Sequence, residues 1–253
     1  MTRLSGIIIT LNEARGIERA VESLRPWCDE VLVLDSGSTD GTRDLAARAG
    51  ARVLERGFTD FVDQKNAAVD AAANDWILSL DGDEELTGDP GVTLSGFDGA
   101  DTSVIYRIPR RNRYLGGWVD HTGWRRDAPV RLFHRGHARF LGSGTHETVG
   151  GEGCRTERLG ARILHRPYRD LTHHLEKINR YSSSLAEEMD ARGKSGVHLR
   201  LVLDPPWKFF RMYVLERGFL MGWRGFVISA MAAVYVFTKY AKLWERRHGR
   251  DPS

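Results

Sequence analysis

The sequence predicts an α/β protein in which helices cover both faces of a largely parallel sheet, followed by a helical tail. Two observations predict this fold class. Short apolar runs alternate with segments whose apolar residues recur at helical spacing. The chain has 253 residues, which is room for one full domain of this class and an appendage. Hydrophobic residues make up 41% of it and charged residues 28%, so neither a disordered nor a polytopic membrane chain is indicated.

The alternation of strands and helices occupies the first third of the chain. Residues 4–10 form the first predicted strand, and residues 13–24 form a helix because Ile17, Val21 and Leu24 fall on one face. The unit then recurs, as strand 31–35, helix 41–49, strand 52–55, helix 61–73 and strand 76–80. Repeated alternation of this kind predicts a parallel sheet.

The pattern changes from about residue 103 to short apolar stretches separated by glycines and basic residues, which predicts a mixed sheet with long loops. Residues 171–189 read as an amphipathic helix. We place the end of the catalytic domain near residue 200, so that residues 1–200 form one domain and residues 201–253 form the tail.

The predicted tail opens with Pro205-Pro206 and holds two apolar stretches, residues 207–221 and 225–240. The second stretch is about sixteen residues, near the lower limit for spanning a bilayer. Lying in the membrane interface or inserting into one leaflet as a hairpin are equally open. A pair of core helices packed on the domain is the alternative.

Charge is distributed unevenly. The whole chain has a formal net charge of +3, whereas residues 205–253 carry nine Lys or Arg against three Asp or Glu, a net charge of +6. A basic segment beside apolar stretches favours an anionic membrane surface over nucleic acid as partner. Cys28 and Cys154 match neither a disulfide framework nor a zinc site, which favours a reducing compartment. The apolar run 7–9 is too short for a signal peptide, so we expect a cytoplasmic protein.

Three polar clusters follow predicted strands, where ligands of open α/β sheets collect. They are Thr10-Leu11-Asn12-Glu13, the segment from Asp35 to Gly41, and Asp81-Gly82-Asp83. The second cluster also fits an ordinary capped turn. The two carboxylates of the third can share Mg²⁺ or Mn²⁺ bound to a diphosphate, with a solvated acidic turn as the alternative. An EF-hand is excluded because Leu86 stands where its glycine is required.

Taken together these clusters resemble family 2 glycosyltransferases of the GT-A fold, and Gln64-Lys65-Asn66 matches another element of that family. Further elements resemble the bacterial lipopolysaccharide-core β-1,4-glucosyltransferase group. They are Arg111–Gly116, Gly123-Trp124, Arg131-Leu132-Phe133, His146-Glu147, and the tail from Trp207–Phe210 through Lys239–Lys242. The resemblance covers nearly the whole chain.

The resemblance implies roles for individual residues. Lys65 would approach the donor, Asp83 the metal, and Asp81 the ribose or the metal. The residues lining the nucleotide pocket would be Thr10, Asn12, Glu13, Asp35 and Ser38. His146 and His165 follow glycine-rich or apolar segments and are candidates for a nitrogen ligand to the metal, with a structural role as the alternative.

The family inverts the anomeric centre in one displacement, which requires a carboxylate base to accept the proton of the acceptor hydroxyl. Asp127, a few residues before Arg131-Leu132, is the first candidate for this base, and Glu147 is the second. Asp127 also fits a surface pairing with neighbouring arginines. The arginines between residues 110 and 126 fit either phosphate recognition or a solvated loop.

The sequence therefore predicts a metal-dependent, inverting hexosyltransferase that uses a nucleotide-diphospho-sugar, with a UDP-sugar favoured. The acceptor would be a glycolipid or lipid-linked glycan at the cytoplasmic face of the inner membrane. One rival is a sugar-1-phosphate nucleotidyltransferase, which would carry a Gly-rich basic loop where residues 12–15 stand. The other is a catalytically silent, membrane-bound sugar-binding scaffold.

Overall fold

A computed structural model describes residues 2–94, 97, 99–143 and 146–249. The elements of the first third are β1 (Leu4–Thr10), α1 (Ile17–Leu24), β2 (Glu30–Asp35), α2 (Thr42–Arg48), β3 (Arg52–Glu55), α3 (Phe61–Ala71), β4 (Trp76–Asp81), β5 (Glu84–Thr87) and α4 (Pro90–Thr93). Every strand and helix predicted for this region is present, and α1 begins four residues later than predicted.

The remaining strands are β6 (Val104–Arg107), β7 (Arg110–Tyr114), β8 (Gly117–Trp118), β9 (Val130–His134), β10 (Arg139–Ser143), β11 (His146–Gly150), β12 (Arg155–Arg158) and β13 (Arg162–His165). Three long helices follow, α5 (Leu171–Ala191), α6 (Val197–Phe210) and α7 (Trp223–His248).

The chain forms two compact units. The first contains Met1–Arg111 and Arg126–His165, and the second contains Asn112–Arg125 and Arg166–Ser253. The domain boundary predicted near residue 200 falls inside α6, within the second unit.

The first unit is built on a seven-stranded sheet with the order β12-β6-β9-β4-β1-β2-β3. The strands β4, β1, β2 and β3 are mutually parallel, whereas β9 runs antiparallel to β4. The predicted parallel core and the predicted mixed second half are therefore both present in one sheet.

Helices cover both faces of this sheet, as predicted. Successive residues of a strand point to opposite faces. Ile8 of β1 accordingly packs in one core with Ile17 and Val21 of α1, while Ile7 packs in a second core with Ala68 of α3. Apolar burial on both faces explains why the strands read as nearly continuous apolar runs.

The strand order reverses at β1. The strands β2 and β3 lie on one side of it and β4 lies on the other. In open α/β sheets such a switch point opens a crevice at the carboxyl ends of the strands. The register places Asp35 beside Thr10, and Asp81 beside Ile9, at this crevice. The topology thus brings the three polar clusters to one edge.

The second unit is largely helical, and its details differ from the predicted tail. Pro205 and Pro206 lie inside α6 instead of opening the tail. Each proline leaves a helix carbonyl without its usual donor, and α6 continues as a π-helical turn over Arg211–Leu215 and a 3₁₀ turn over Gly218–Met221. The second predicted apolar stretch belongs to α7, which has 26 residues.

Within the described ranges, α7 is the one helix whose length and composition would allow it to cross a bilayer. It also packs against α5 and α6, and one third (33%) of its most apolar window is buried inside the protein. Most of the apolar surface of α7 is therefore left outside the core of the second unit.

Candidate active site

The loops that follow β1 and β2 are held together by side-chain hydrogen bonds. Asn12 has a left-handed backbone (φ 55°), and its Oδ1 accepts a hydrogen bond from the backbone N–H of Thr39 at 2.9 Å. The backbone N–H of Asn12 donates to Ser38 Oγ at 2.8 Å, and that of Glu13 donates to Thr42 Oγ1 at 2.9 Å. The two loops therefore form one preorganised surface.

Asp35 is fully buried at the centre of this arrangement (0% exposed). Its Oδ1 accepts hydrogen bonds from the backbone N–H groups of Gly37 at 3.0 Å and Ser38 at 2.7 Å, and its Oδ2 accepts one from the Ser38 hydroxyl. Both oxygens thus stabilise the turn. Asp35 and Ser38, of which Ser38 is 2% exposed, therefore shape the loop that would carry a nucleotide, and their direct contact with it stays a prediction.

The acidic turn after β4 packs closely on the loop after β1. A Cβ on Gly82 would lie 3.1 Å from Thr10 Oγ1 and 3.3 Å from Glu13 Cβ. The hydroxyl of Thr10 is buried and has no hydrogen-bond partner within the described residues. Because Gly82 has no side chain, the turn that carries Asp81 and Asp83 can pack directly against the loop after β1.

Three consecutive side chains of α3 connect separate parts of the site. The amide of Gln64 donates to Ser36 Oγ at 3.0 Å, in the loop after β2. The amide of Asn66 donates to the carbonyl oxygen of Phe140 at 3.0 Å and accepts from its N–H at 3.1 Å, which holds β10 on α3. Between them, the buried Lys65 points toward the carboxyl end of β4.

Seven charged side chains form a chain of alternating sign across this edge of the sheet. The oxygens of Asp81 lie 2.9 Å from Lys65 Nζ and 2.8 Å from Arg131 Nη2. The Lys65 ammonium also pairs with Glu147, and the Arg131 guanidinium also pairs with Glu84, at 2.7 Å. We call this series the ion-pair chain; its members in order are Asp127, Arg110, Glu84, Arg131, Asp81, Lys65 and Glu147.

The interior of the ion-pair chain is removed from water. Glu84 is 0% exposed, Lys65 2% and Arg131 4%. Burial alone would raise the pKa of Asp81, but the charges of Arg131 and Lys65 outweigh it and hold the pKa of this carboxyl well below its usual range. Asp81 is therefore ionised, with each oxygen engaged by a cation.

The sequence pattern described as Glycosyl transferase family 2 matches residues 5–152 of this chain, more than half of its length. The chain belongs to glycosyl transferase family 2. Its fold is the mixed α/β, GT-A-like fold of this family, with an apolar helix near the C-terminus.

Related sequences match almost the full length. The chain is 30% identical over 251 residues to the lipopolysaccharide core biosynthesis glycosyltransferase LpsC of Rhizobium meliloti, covering 96% of this chain and 92% of that protein. It is 31% identical to an uncharacterised glycosyltransferase of Rickettsia felis, covering 97% and 90%. A solved structure of glucosyl-3-phosphoglycerate synthase from Mycobacterium tuberculosis with Mn²⁺ and UDP matches at 26% identity and a TM-score of 0.36, over 44% of each chain.

The predicted metal ligands of this glycosyltransferase fall into two groups. Asp83 Oδ2 lies 3.5 Å from His165 Nε2, because β13 pairs with β5 and sets His165 opposite Glu84. Asp81, by contrast, is engaged by Lys65 and Arg131, so its predicted role as a metal ligand is not supported by this geometry. The side chain of His146 lies outside the described part of the structure.

No three His, Cys, Asp or Glu side chains converge on one point within the described ranges. The pair Asp83 and His165 nevertheless suits a divalent ion. Two ligands about 2.1 Å from one octahedral ion lie roughly 3 Å apart, so the observed 3.5 Å requires only a small adjustment. The remaining positions would be left for water and for a diphosphate.

The two predicted bases occupy opposite ends of the ion-pair chain. Asp127 has 31% of its side chain exposed and is held by Arg110, whose Nε and Nη2 contact Oδ2 at 2.7 and 2.6 Å. Glu147 is held through Oε1 by Lys65, and its Oε2 is buried without a hydrogen-bond partner in the described residues. The contacts leave Oδ1 of Asp127 unused by Arg110, whereas Oε1 of Glu147, whose side chain is 25% exposed, is engaged by Lys65 and its Oε2 is buried.

The sequence did not predict the residues that connect the two ends of the ion-pair chain, Asp127 and Glu147. Glu84, Arg110 and Arg131 were not predicted as site residues, although Arg110 was assigned to a basic loop. One signal was available: Arg131 stands within the apolar run of β9, where a charged residue requires a buried partner. The identity of that partner depends on pairing between strands distant in sequence.

Proposed function

We propose that this protein is an inverting glycosyltransferase that moves a sugar from a nucleotide-diphospho-sugar, with UDP-sugars as first candidates, to a lipid-linked or lipopolysaccharide-type acceptor. The observation that carries the proposal is the ion-pair chain, which links the predicted base Asp127 to Asp81 and Lys65 at the switch point of the sheet. The name of the Rhizobium meliloti relative supports a glycolipid acceptor.

Donor binding would use the surface formed by the loops after β1 and β2, with Thr10, Asn12 and Glu13 nearest the crevice. Asp83 and His165 would hold a divalent ion, Mg²⁺ or Mn²⁺. Such an ion supplies positive charge that stabilises the leaving diphosphate. Lys65 is buried between Asp81 and Glu147, so its side chain is held in place before the donor binds and needs little reorganisation.

The chemical step would be a single displacement. The acceptor hydroxyl oxygen forms a bond to the anomeric carbon while the bond from that carbon to the diphosphate oxygen breaks. Asp127 takes the hydroxyl proton through Oδ1, while Arg110 holds Oδ2 and fixes the orientation of the carboxylate. Glu147 keeps Lys65 in place from the other end of the ion-pair chain.

Membrane association would rest on an apolar surface of the second unit. Large apolar side chains are exposed at intervals typical of one helix face along α6 and along α7, with three more in the turns between them. We call this surface the outer apolar stripe; its members are Leu199, Val202, Leu203, Trp207, Phe210, Val214, Phe219, Leu220, Trp223, Phe226, Val234, Phe237 and Trp244. An exposed apolar patch of this kind marks an interaction surface.

The basic residues of the tail contribute less to this surface than their number predicts. Arg247 pairs with Asp190 of α5 at 2.7 Å, Arg246 approaches Glu187 at 3.2 Å, and Lys242 donates to Asn179 Oδ1 at 2.7 Å. These cations therefore stabilise the packing of α7 against α5. We place the protein at the cytoplasmic face of the inner membrane through the outer apolar stripe, lying on the membrane and not spanning it.

Donor turnover by the purified full-length protein tests the proposal. A panel of nucleotide-sugars is incubated with and without Mn²⁺ or Mg²⁺, comparing wild type, Asp83→Ala and the matched control Asp44→Ala, an exposed carboxylate on α2. We expect metal-dependent release of one nucleoside diphosphate, lost only in Asp83→Ala. Formation of a nucleoside triphosphate and a sugar-1-phosphate when pyrophosphate is added to the nucleotide-sugar would favour the nucleotidyltransferase, and absence of both turnover and donor binding would favour the silent scaffold.

A further inference from the structure

The second unit contains a cavity that the proposed chemistry does not use. It has a volume of about 280 Å³ and lies among α5, α6, the π-helical turn and α7. Its lining includes Trp124, Tyr168, Tyr181, Lys208, Met212 and Tyr235. Small-molecule sites of proteins begin at about 300 Å³ and combine apolar walls with a few polar groups, and this cavity has that character.

The aromatic wall of the cavity is held rigid by its own contacts. The rings of Tyr168 and His174 stack with centroids 3.8 Å apart. A hydrogen bond joins Tyr114 Oη and His174 Nδ1 at 2.9 Å and fixes the orientation of the imidazole ring. Trp124 is tilted against Tyr168 at 6.1 Å. A preformed wall of this kind loses little conformational entropy when a ligand binds.

Lys208 gives the cavity its charge. It is partly buried, and no carboxylate is among the residues that line the cavity. Burial lowers the pKa of its ammonium group, an effect that Glu216 opposes and Arg211 reinforces. Glu216 is itself paired with Arg211 at 3.0 Å. A cation in an apolar wall without an anionic neighbour of its own favours an anionic ligand.

The cavity and the outer apolar stripe both involve α6 and α7. Trp207, which is 57% exposed, directly precedes Lys208, and Phe210 follows it on the same helix. The π-helical turn that supplies Met212 to the cavity begins at Arg211. Since π-helical turns often occur at functional sites, a ligand with an anionic group at Lys208 and an apolar segment against the aromatic wall matches this arrangement.

We propose that the cavity binds the phosphate-bearing part of an anionic amphiphile, with the phosphate at Lys208 and the adjoining apolar segment against the aromatic wall. At roughly 30 Å³ per water molecule, the cavity corresponds to about nine waters, enough for a phosphate and a short chain segment. The assignment of this amphiphile as the acceptor rests on the proposed glycosyl transfer. The binding of an alkyl phosphate to the cavity does not depend on that transfer.

Calorimetric titration of the full-length protein with octyl phosphate tests the binding, with octyl glucoside as the uncharged comparison. We expect saturable 1:1 binding of octyl phosphate, at least ten times tighter than that of octyl glucoside. Lys208→Gln should weaken it at least tenfold, and Ala232→Trp, which fills the cavity, should abolish it. The matched controls Lys239→Gln and Ala233→Trp alter α7 outside the cavity lining and should bind as wild type does.

Equal affinity for the two amphiphiles, or unchanged binding by Lys208→Gln, would overturn the phosphate site. Binding that persists in Ala232→Trp but is lost in Trp207→Glu would place the amphiphile on the outer apolar stripe and overturn the cavity as its site. Thermal unfolding of each variant separates loss of binding from loss of fold.

The role of the cavity in transfer is tested separately from donor chemistry. Ala232→Trp should retain metal-dependent release of nucleoside diphosphate while losing at least tenfold in transfer to a lipid acceptor. Full transfer by this variant would overturn the acceptor assignment. If wild type releases no nucleoside diphosphate, the proposed function fails, and the titration with octyl phosphate still decides whether the cavity is an anion site.

Discussion

The two units of this protein depart from the usual distribution of side chains in opposite directions. In the first unit, Glu84 and Arg131 are almost completely buried, whereas in the second unit Trp207 and Trp223 are 57% and 81% exposed. Charged residues are rarely fully buried unless they are paired, and large exposed apolar patches are rare on monomers. Both departures fall where a function is proposed.

The contrast also shows what each unit requires for stability. Buried charges are tolerated in the first unit because every member of the ion-pair chain has a partner of opposite sign within hydrogen-bond reach. The outer apolar stripe of the second unit has no such compensation within the described residues and would gain free energy only by leaving water. The first unit thus compensates its unusual side chains internally, whereas the exposed apolar side chains of the second unit have no such compensation within the described residues.

The largest expected effect concerns the end of the ion-pair chain assigned to catalysis. Asp127→Asn should lower kcat by about a thousandfold, within the range of general-base contributions, because the amide cannot accept the hydroxyl proton. Glu147→Gln should lower it only about tenfold, since Gln still accepts a hydrogen bond from Lys65. Steady-state kinetics with the donor found by the nucleotide-sugar panel measures both variants.

The comparison of the two variants identifies which carboxylate is the base. The larger loss of kcat should occur in Asp127→Asn and the smaller in Glu147→Gln. The reverse result would assign the base to Glu147 and make Asp127 the anchor of Arg110. Unchanged donor affinity in both variants would show that the loops of the donor site are intact.

The next effect tests whether the interior of the ion-pair chain is needed for folding. Glu84→Gln should lower the free energy of unfolding by about 3 to 5 kcal/mol, because the buried Arg131 and the partly buried Arg110 lose their shared carboxylate. The adjacent Glu85 pairs with Arg19, whose side chain is 51% exposed, so Glu85→Gln should cost less than about 1 kcal/mol. Denaturant unfolding of both variants measures the difference, and equal losses would contradict the special role of Glu84.

The sequence was sufficient to predict the parallel part of the sheet and the convergence of the polar clusters. Strand and helix periods are local signals, and the crevice follows from the strand order they imply. Asp35 shows the limit of such reasoning. Its position after β2 followed from the sequence, whereas its burial and the hydrogen bonds that it accepts from Gly37 and Ser38 did not, and its contact with a nucleotide stays a prediction.

The second unit was harder to predict because its signals are not local. Pro205 and Pro206 predicted the start of a segment and lie inside α6, since tertiary packing outweighs the cost of two missing hydrogen bonds. The basic residues of α7 predicted a lipid-facing surface, yet Arg247 pairs with Asp190 of α5. Charge counts do not reveal which helix a charged side chain faces.

The interior of the second unit gives a pH-dependent test. Burial lowers the pKa of His174 from 6.5 to about 4, and Lys177 and His173 add to this shift. The folded state binds this proton less tightly than the unfolded chain does, so the contribution of His174 to stability should fall as pH drops from about 6.5 to 4 and change no further below that range. The expected loss is about 2 to 3 kcal/mol. Denaturant unfolding across this range should show a shallower slope for His174→Gln, and an identical slope would contradict the assignment.

The smallest effect concerns the outer apolar stripe. Trp207→Glu should weaken binding to vesicles at least tenfold, because it replaces a large apolar side chain with a charge at the lipid contact. Leu175→Glu makes a comparable change at an exposed apolar residue of α5 that is not part of the stripe, and it should bind as wild type does. Vesicle flotation measures both variants.

The same flotation experiment separates apolar from electrostatic attraction. Arg247→Gln should leave vesicle binding unchanged, because Arg247 is occupied by Asp190, and it should lower stability by less than about 1 kcal/mol. Equal losses in Trp207→Glu and Leu175→Glu would show that added negative charge, and not the stripe, governs binding. A loss in Arg247→Gln as large as that in Trp207→Glu would mean that the pairs with α5 open at the membrane, and the basic tail would then face lipid as its composition predicts.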